Sequence, residues 1–295
     1  MRVLSLFDGI SCARVGLERA GIPITSYTAY EIDKHAIAIA KKNYPDTIHH
    51  GDVRECKPNE NEYDLVIGGS PCQDLSIAKK GRKGLDGDRS GLFWEWVRVW
   101  KEAKPKWFVL ENVASMPKKD RDIISKELGV EPVMFNASLV SAQSRKRLFW
   151  SNIPFTLPED RGILLKDILE AEVDDKFSAS SGGLGSNTGL YKIGREIGRR
   201  LDADGTRADD DPTLAYQRRI ETREDDKCGT LTSVQKDNLV VGERIRKLTP
   251  IECERLQGLP DNYTEGIAMT QRYKCCGNAF NVDVVAHILR GIPNE

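Results

Sequence analysis

Cys72 is the residue whose setting best suits a nucleophile. It follows Pro71 in the run Gly68-Gly69-Ser70-Pro71-Cys72-Gln73. The preceding residues, Tyr63-Asp64-Leu65-Val66-Ile67, have the branched apolar character of a buried parallel strand. Two glycines and a proline break that strand and put the thiol in a loop beyond its carboxyl end, where open α/β sheets gather ligands and chemistry. The competing reading is an inert structural thiol, the commoner role of a cysteine. Three other strand ends carry distinctive residues. Phe7-Asp8-Gly9 is a tight turn whose glycine permits close approach of a ligand. Glu31 lies 22 residues after Gly9, the spacing at which nucleotide-binding folds set an acid on ribose hydroxyls. Asp52, third in the series, can accept a bond from an adenine amino group. Together they point to an adenosine-containing ligand, although Asp and Gly are ordinary turn residues. Ser11 stands where G-x-G-x-x-G requires its second glycine, so a nucleoside without pyrophosphate fits better.

The elements that position these residues are read from periodicity. Arg2 to Phe7 reads as a strand, and Ser11 as the cap of a helix carrying Ala13, Val15, Leu17 and Ala20 and stopping at Gly21. A strand from Ser26 to Glu31, a helix from Asp33 to Tyr44 and a short strand from Thr47 to His50 come next. Lys106 to Glu111 is a further buried strand ending in Glu111-Asn112-Val113. Pro132 to Asn136 and Arg147 to Trp150 complete the set, and a helix with Trp94, Val97 and Trp100 lies between. This alternation predicts an α/β fold with a doubly wound, mostly parallel sheet. The glycine-rich stretch after Cys72 suits either a mobile lid or a plain surface loop. From about Phe155 the periodicity fades into segments rich in Ser, Gly and Asp, which predicts a smaller irregular domain over 156–244 inserted between 1–155 and 245–295. Thr249-Pro250-Ile251-Glu252 is a helix start with cap, proline and capping-box acid in place. A last helix is expected from about Asn278, with Val282, Val285, Ile288 and Leu289 on one face.

With 295 residues, 39% hydrophobic and 30% charged, the chain has the composition of a soluble globular protein. No apolar run reaches the roughly 18 residues of a membrane span. The N-terminus enters a strand pattern directly, so no export signal is expected and the cytoplasm is the expected location. Seven cysteines at irregular spacing, none in a C-x-x-C pair, support neither a disulfide framework nor a zinc site. The net charge of −1 is uninformative, but Lys79, Lys80, Arg82 and Lys83 cluster just after Cys72, and Arg145, Lys146 and Arg147 form a second group. Such clusters either track phosphates or are solvated faces.

Six collinear segments resemble the motifs of the DNA (cytosine-5)-methyltransferase family: Phe7-Asp8-Gly9, Pro71-Cys72-Gln73, Glu111-Asn112-Val113, Gln143-x-Arg145-x-Arg147, Arg255-Leu256-Gln257-Gly258-Leu259-Pro260 and Gly277-Asn278-Ala279. The resemblance covers nearly the whole chain outside the insert. It is of bacterial or phage type, with local similarity to the animal de novo enzymes around Asp8-Gly9-Ile10 and Gly68 to Ser76.

The resemblance implies S-adenosyl-L-methionine as cofactor, S-adenosyl-L-homocysteine as product and double-stranded DNA as partner. It makes Cys72 the nucleophile at cytosine C6, Glu111 the group on ring N3 and the amino group, and Arg145 and Arg147 the holders of the base carbonyl and the active-site carboxylate. Phe7, Asp8 and Gly9 would line the cofactor together with Glu31 at the ribose, Ile32 and Val53 on the adenine faces, and Asp52 at its amino group. Pro71 and Leu92, with Asn278 and Val282 on the methionine side, would complete the pocket. Gln73, Ser76, Lys79, Lys80, Arg82, Lys83 and Thr230 would contact DNA, Thr230 as part of a Thr-Leu motif that anchors a target-recognition domain. A monomer is expected, alone or beside a separate restriction endonuclease. The alternative of the same fold is a tRNA cytosine-5 methyltransferase, against which the insert speaks.

Overall fold

The computed structural model describes residues 1–71, 85, 91–178, 191–200, 202–204, 206, 208–232, 238–242 and 245–293. The chain begins with β1 (Arg2–Leu6), α1 (Cys12–Arg19), β2 (Ser26–Tyr30), α2 (Lys34–Asn43), β3 (Ile48–His50) and β4 (Leu65–Gly69). It continues through α3 (Leu92–Ala103), β5 (Trp107–Val113), α4 (Lys118–Leu128), β6 (Val133–Asn136) and β7 (Lys146–Ser151). The strands form one sheet in the order β3-β2-β1-β4-β5-β7-β6. β7 runs antiparallel to both of its neighbours, while every other pairing is parallel.

The two-residue period of the strands explains why both faces are covered. Leu4, Leu6, Val66, Phe108 and Leu110 point to one side, where Trp96, Val99 and Ile124 of α3 and α4 bury them. Val3, Leu65, Ile67 and Val109 point to the other, against Leu17 of α1 and Val284, Val285 and Ile288 near the C-terminus. The central strands are therefore apolar at consecutive positions, and their carboxyl ends open along one edge of the sheet.

The insert is more regular than its sequence suggests. β8 (Lys192–Arg200), β9 (Tyr216–Thr222), β10 (Leu239–Val241) and β11 (Ile245–Lys247) form an antiparallel sheet in the order β11-β10-β8-β9. β8 and β9 mix charged residues with glycine and isoleucine, so no regular apolar period marks them, and main-chain pairing over seven residue pairs defines the hairpin. β11 joins this sheet although its residues lie beyond the expected end of the insert. The small sheet shares a core with the C-terminal helical segment: Ile193, Leu231 and Val240 pack with Leu256, Tyr273 and Cys276.

Thr249 caps α5 (Pro250–Leu256) as its sequence dictates, Oγ1 accepting from Glu252 N while Thr249 N donates to Glu252 Oε2 at 2.8 Å. Two expectations are corrected. Asn278 does not open the last helix but ends α6 (Met269–Asn278); the chain turns at Ala279 and Phe280, and Asn281 Oδ1 caps α7 (Val282–Leu289). Ser11 precedes α1 but does not cap it, because its backbone is left-handed (φ 59°) and its hydroxyl donates to Asp8 instead.

Candidate active site

Glu111 and Arg147 meet at the sheet edge. Glu111 lies on β5, paired with Gly69 of β4 on one side and Phe149 of β7 on the other. Arg147, two residues before Phe149, therefore sits alongside, and its Nε approaches Glu111 Oε1 at 2.8 Å. Both side chains are largely buried, so the charges are screened far less than a surface pair. A recess lined by Glu111, Arg147, Phe149 and Phe280 opens beside them.

β4 runs through both glycines expected to break it and ends before Ser70-Pro71, and its last residue, Gly69, sits hard against the site. A Cβ on Gly69 would lie 2.8 Å from Glu111 Oε2 and 2.9 Å from Phe280 Cε1. The next residue, Ser70, is clasped by Asn112 Nδ2, which donates to its main-chain oxygen at 3.3 Å and its hydroxyl at 3.1 Å. Pro71 comes next, and Cys72 lies outside the described residues, as do Gln73, Ser76, Lys79, Lys80, Arg82 and Lys83. The remaining six cysteines are all buried. Burial pushes the Cys275 thiol up to about 12 and raises Cys12, Cys56, Cys228, Cys253 and Cys276 as well. No cysteine among the described residues is thus suited to form a thiolate.

The cofactor-side residues gather at the ends of β1, β2 and β3. Gly9 adopts φ 60°, which glycine tolerates without strain, and the space its absent Cβ would take is empty. Its N–H donates to Glu31 Oε2 at 2.8 Å, while Ile32 N and Asp33 N donate to Oε1, each at 2.8 Å. Three amide donors fix the carboxylate and leave lone pairs for further donors. Ile32 beside it is 72% exposed, an apolar side chain without cover. An oriented acid, an open glycine turn and an uncovered isoleucine fit a nucleoside, with the ribose hydroxyls on Glu31. Val53 is buried behind Asp52, Phe7 is half-buried against the sheet core, and Leu92 starts α3 at the same edge.

Several expected contacts are directed elsewhere. Asp8 is buried: Tyr27 Oη donates to Oδ1 at 2.7 Å and Ser11 Oγ to Oδ2 at 2.6 Å, so its carboxylate braces the turn from below. Burial raises its pKa, against the pull of those hydroxyls. Asp52 is gripped by the Arg54 guanidinium, which holds its carboxyl below the usual carboxylate range. Val282 is fully buried core and Asn278 is exposed. Arg145, 4% exposed, lines the same recess as Glu111 and Arg147 while it donates to the main-chain oxygens of Leu231, Gly277 and Ala279. Thr230 Oγ1 donates its one proton to Ser144 O at 2.8 Å and has none left for a phosphate. Sequence reasoning singles out Gly69 only as a strand breaker and does not find Phe280 or the Asn112 clasp, since ring and clasp depend on strand register.

Sheet order, the single reversed strand and acid-bearing strand ends define the Rossmann-like fold of S-adenosylmethionine-dependent methyltransferases. Residues 1–294 match the family of C-5 cytosine-specific DNA methylases, and the chain belongs to it; it is a DNA (cytosine-5-)-methyltransferase. Among similar proteins, type II methyltransferase M1.ScrFI of Lactococcus lactis subsp. cremoris is 29% identical over 310 residues, covering 96% of this chain and 76% of the relative. The orphan methyltransferase M.SPRI of Bacillus phage SPR is 26% identical, covering 98% and 97%. The methyltransferase EhMeth of Entamoeba histolytica superposes with a TM-score of 0.70 at 16% identity, covering 98% of this chain and 96% of that one. DNMT2 of Spodoptera frugiperda does so at 0.66 and 17%, covering 98% of each.

Proposed function

We propose that the chain transfers a methyl group from S-adenosyl-L-methionine to C5 of a cytosine turned out of a specific duplex DNA sequence, through a covalent bond between Cys72 Sγ and ring C6. The observation that carries this reading is the Glu111–Arg147 pair, held one strand away from the point where β4 leads into Pro71 and Cys72.

Cytosine C5 is a poor nucleophile until something adds to C6. The Cys72 thiolate forms the bond to C6, and the electron pair of the 5,6 double bond moves toward C4 and N3. Glu111 offers a proton to N3 and accepts from the exocyclic amino group, offsetting that charge. Arg147 fixes the Glu111 carboxyl and faces the ring carbonyl. When bound, S-adenosyl-L-methionine supplies an electrophilic methyl and departs as S-adenosyl-L-homocysteine. C5 takes the methyl; water removes the C5 proton, the 5,6 double bond re-forms, and the thiolate leaves. A cytosine paired inside a duplex cannot reach a thiol in this loop, so base extrusion is part of the reading.

Residues 156–244 serve as the target-recognition domain and residues 1–155 with 245–295 as the catalytic and cofactor domain. Gln73, Ser76 and the basic group at Lys79, Lys80, Arg82 and Lys83 take the DNA backbone near the extruded base. The protein acts as a cytoplasmic monomer, as an orphan enzyme or alongside a separate cognate endonuclease. No helix among the described residues is long and apolar enough to cross a membrane.

The test is transfer of labelled methyl to unmodified duplex DNA, with base-resolution mapping, for wild type, Cys72→Ser and Glu111→Gln. Label at C5 in one short sequence context, abolished by Cys72→Ser and reduced by roughly 10²- to 10⁴-fold in Glu111→Gln, is expected. Label on tRNA alone, or full activity in Cys72→Ser, would overturn the reading.

A further inference from the structure

Lys274 of α6 and Asp33, the residue that caps α2, lie 241 positions apart in sequence and meet in an ion pair, Lys274 Nζ donating to Asp33 Oδ2 at 2.6 Å. Asp33 is engaged on two further sides. Its Oδ1 accepts from His35 N at 2.9 Å at the start of α2, and its own N–H donates to Glu31 Oε1 at 2.8 Å. One residue thus joins a cation on α6 to the acid that the fold leaves open for ribose hydroxyls. Asp33 holds the Lys274 ammonium above its usual range, and the Glu31 charge adds to that pull. The far end of α2 is anchored separately. Lys42 Nζ donates to Asn262 O at 3.3 Å and Glu265 O at 3.0 Å, and Asn43 Nδ2 donates to Tyr263 O at 3.1 Å. Loss of Lys274 therefore releases the start of the helix and not the whole of it.

Two carboxylates two residues apart repel, and Lys274 supplies the charge that offsets them. If Asp33 swings away, Glu31 loses one of the three amides that aim it. We propose that Lys274 is a positioning residue for cofactor recognition: acting through Asp33, it holds Glu31 in the orientation that selects a ribose over a sugar without hydroxyls. This rests on the reading of Glu31 as the ribose acid of an S-adenosyl-L-methionine site and names the residue that tunes it. Both partners of the ion pair are partly exposed, so the effect is a few-fold and not orders of magnitude.

The experiment measures, by calorimetry on the full chain, the Kd of S-adenosyl-L-homocysteine and of its analogue lacking both ribose hydroxyls. The quantity read is the ratio of the two. In wild type the hydroxyls are expected to be worth at least about tenfold, the scale of one hydrogen bond to a charged group. In Lys274→Met the ratio is expected to fall about threefold, with the Kd of the analogue within about twofold of wild type. Lys274→Arg keeps the cation and should restore the ratio. Asp33→Asn keeps the helix cap but not the charge and should lower it as Lys274→Met does. A general loosening of the fold would weaken both ligands alike and leave the ratio where it was. A discriminating wild type beside an unchanged ratio in Lys274→Met would overturn the role of Lys274 and leave the ribose reading standing. A wild type that binds both ligands equally, or neither, would overturn both. If Lys274→Met does not fold, Asp33→Asn decides, and an unchanged ratio there sinks the proposal.

Discussion

Gly69→Ala isolates the geometry of the site from the stability of the fold. The backbone at Gly69 is ordinary strand without positive φ, so alanine suits it conformationally and strand propensity improves by roughly 0.5–1 kcal/mol. The added Cβ meets Glu111 Oε2 at 2.8 Å and Phe280 Cε1 at 2.9 Å, whereas ordinary contact begins at 3.4 Å. The carboxylate must therefore retreat by about 0.6 Å (3.4 minus 2.8) or rotate. Movement of two side-chain tips costs little in packing, and a net stability change within about 2 kcal/mol is expected. Arg147, however, holds the other carboxylate oxygen at 2.8 Å, so displacement pulls apart the pair proposed to face the substrate ring. Misplacing a catalytic group by this order costs about 10²-fold in kcat. Single-turnover methyl transfer on unmodified duplex DNA measures the rate, and denaturant unfolding measures stability. The double variant with Glu111→Gln adds a control: if Gly69→Ala acts through Glu111, the double is no slower than Glu111→Gln alone. A kcat within twofold of wild type, or additive losses in the double, would refute the reasoning.

Three further outcomes are expected. Arg246→Met strands Glu252, which is fully buried and takes two bonds from that guanidinium at 2.7 and 2.8 Å; denaturant unfolding should show a loss of about 3–5 kcal/mol, and a loss under 1 kcal/mol would contradict it. The raised Asp8 pKa means the folded chain holds this proton more tightly than the unfolded one. Its contribution is therefore fully present below the ordinary carboxylate pKa and is lost as pH rises through the raised value, so wild type should lose stability relative to Asp8→Asn on going from pH 4 to pH 7, and a difference flat in pH would refute it. Thiol titration of the native protein should show one fast-reacting cysteine, absent in Cys72→Ser, with the six buried thiols reacting only on denaturation; several fast thiols would contradict the burial described.

Much of the catalytic core is legible in the sequence because its signals are local. β1, β2 and β5 stand within a residue or two of their expected bounds, since a strand buried on both faces must be apolar at successive positions. The α5 start is spelled out by Thr249, Pro250 and Glu252, three residues that satisfy one another within a single turn. The small sheet is not legible. β8 and β9 carry charge at about half of their positions, and pairing through the main chain leaves no mark on side-chain periodicity. The break at Asn278 is misplaced for a different reason: asparagine suits a helix start as well as a helix end, and here Asn278 ends α6 while Asn281 provides the next cap.

The sequence by itself determined the family, the alternating architecture and the set of candidate groups, because residue types at strand ends are a property of the chain alone. The tertiary structure decided which of those groups stand at the open edge of the sheet. Asp8, Arg145 and Thr230 have the right chemistry for a ligand, yet Asp8 is buried beneath Tyr27 and Ser11, Arg145 spends donors on three main-chain carbonyls, and Thr230 gives its one proton to Ser144. Glu31 and the Glu111–Arg147 pair are left at the open edge with capacity to spare. A polar side chain binds a ligand only with donors or acceptors that the fold has not already used, and that depends on neighbours far away in sequence.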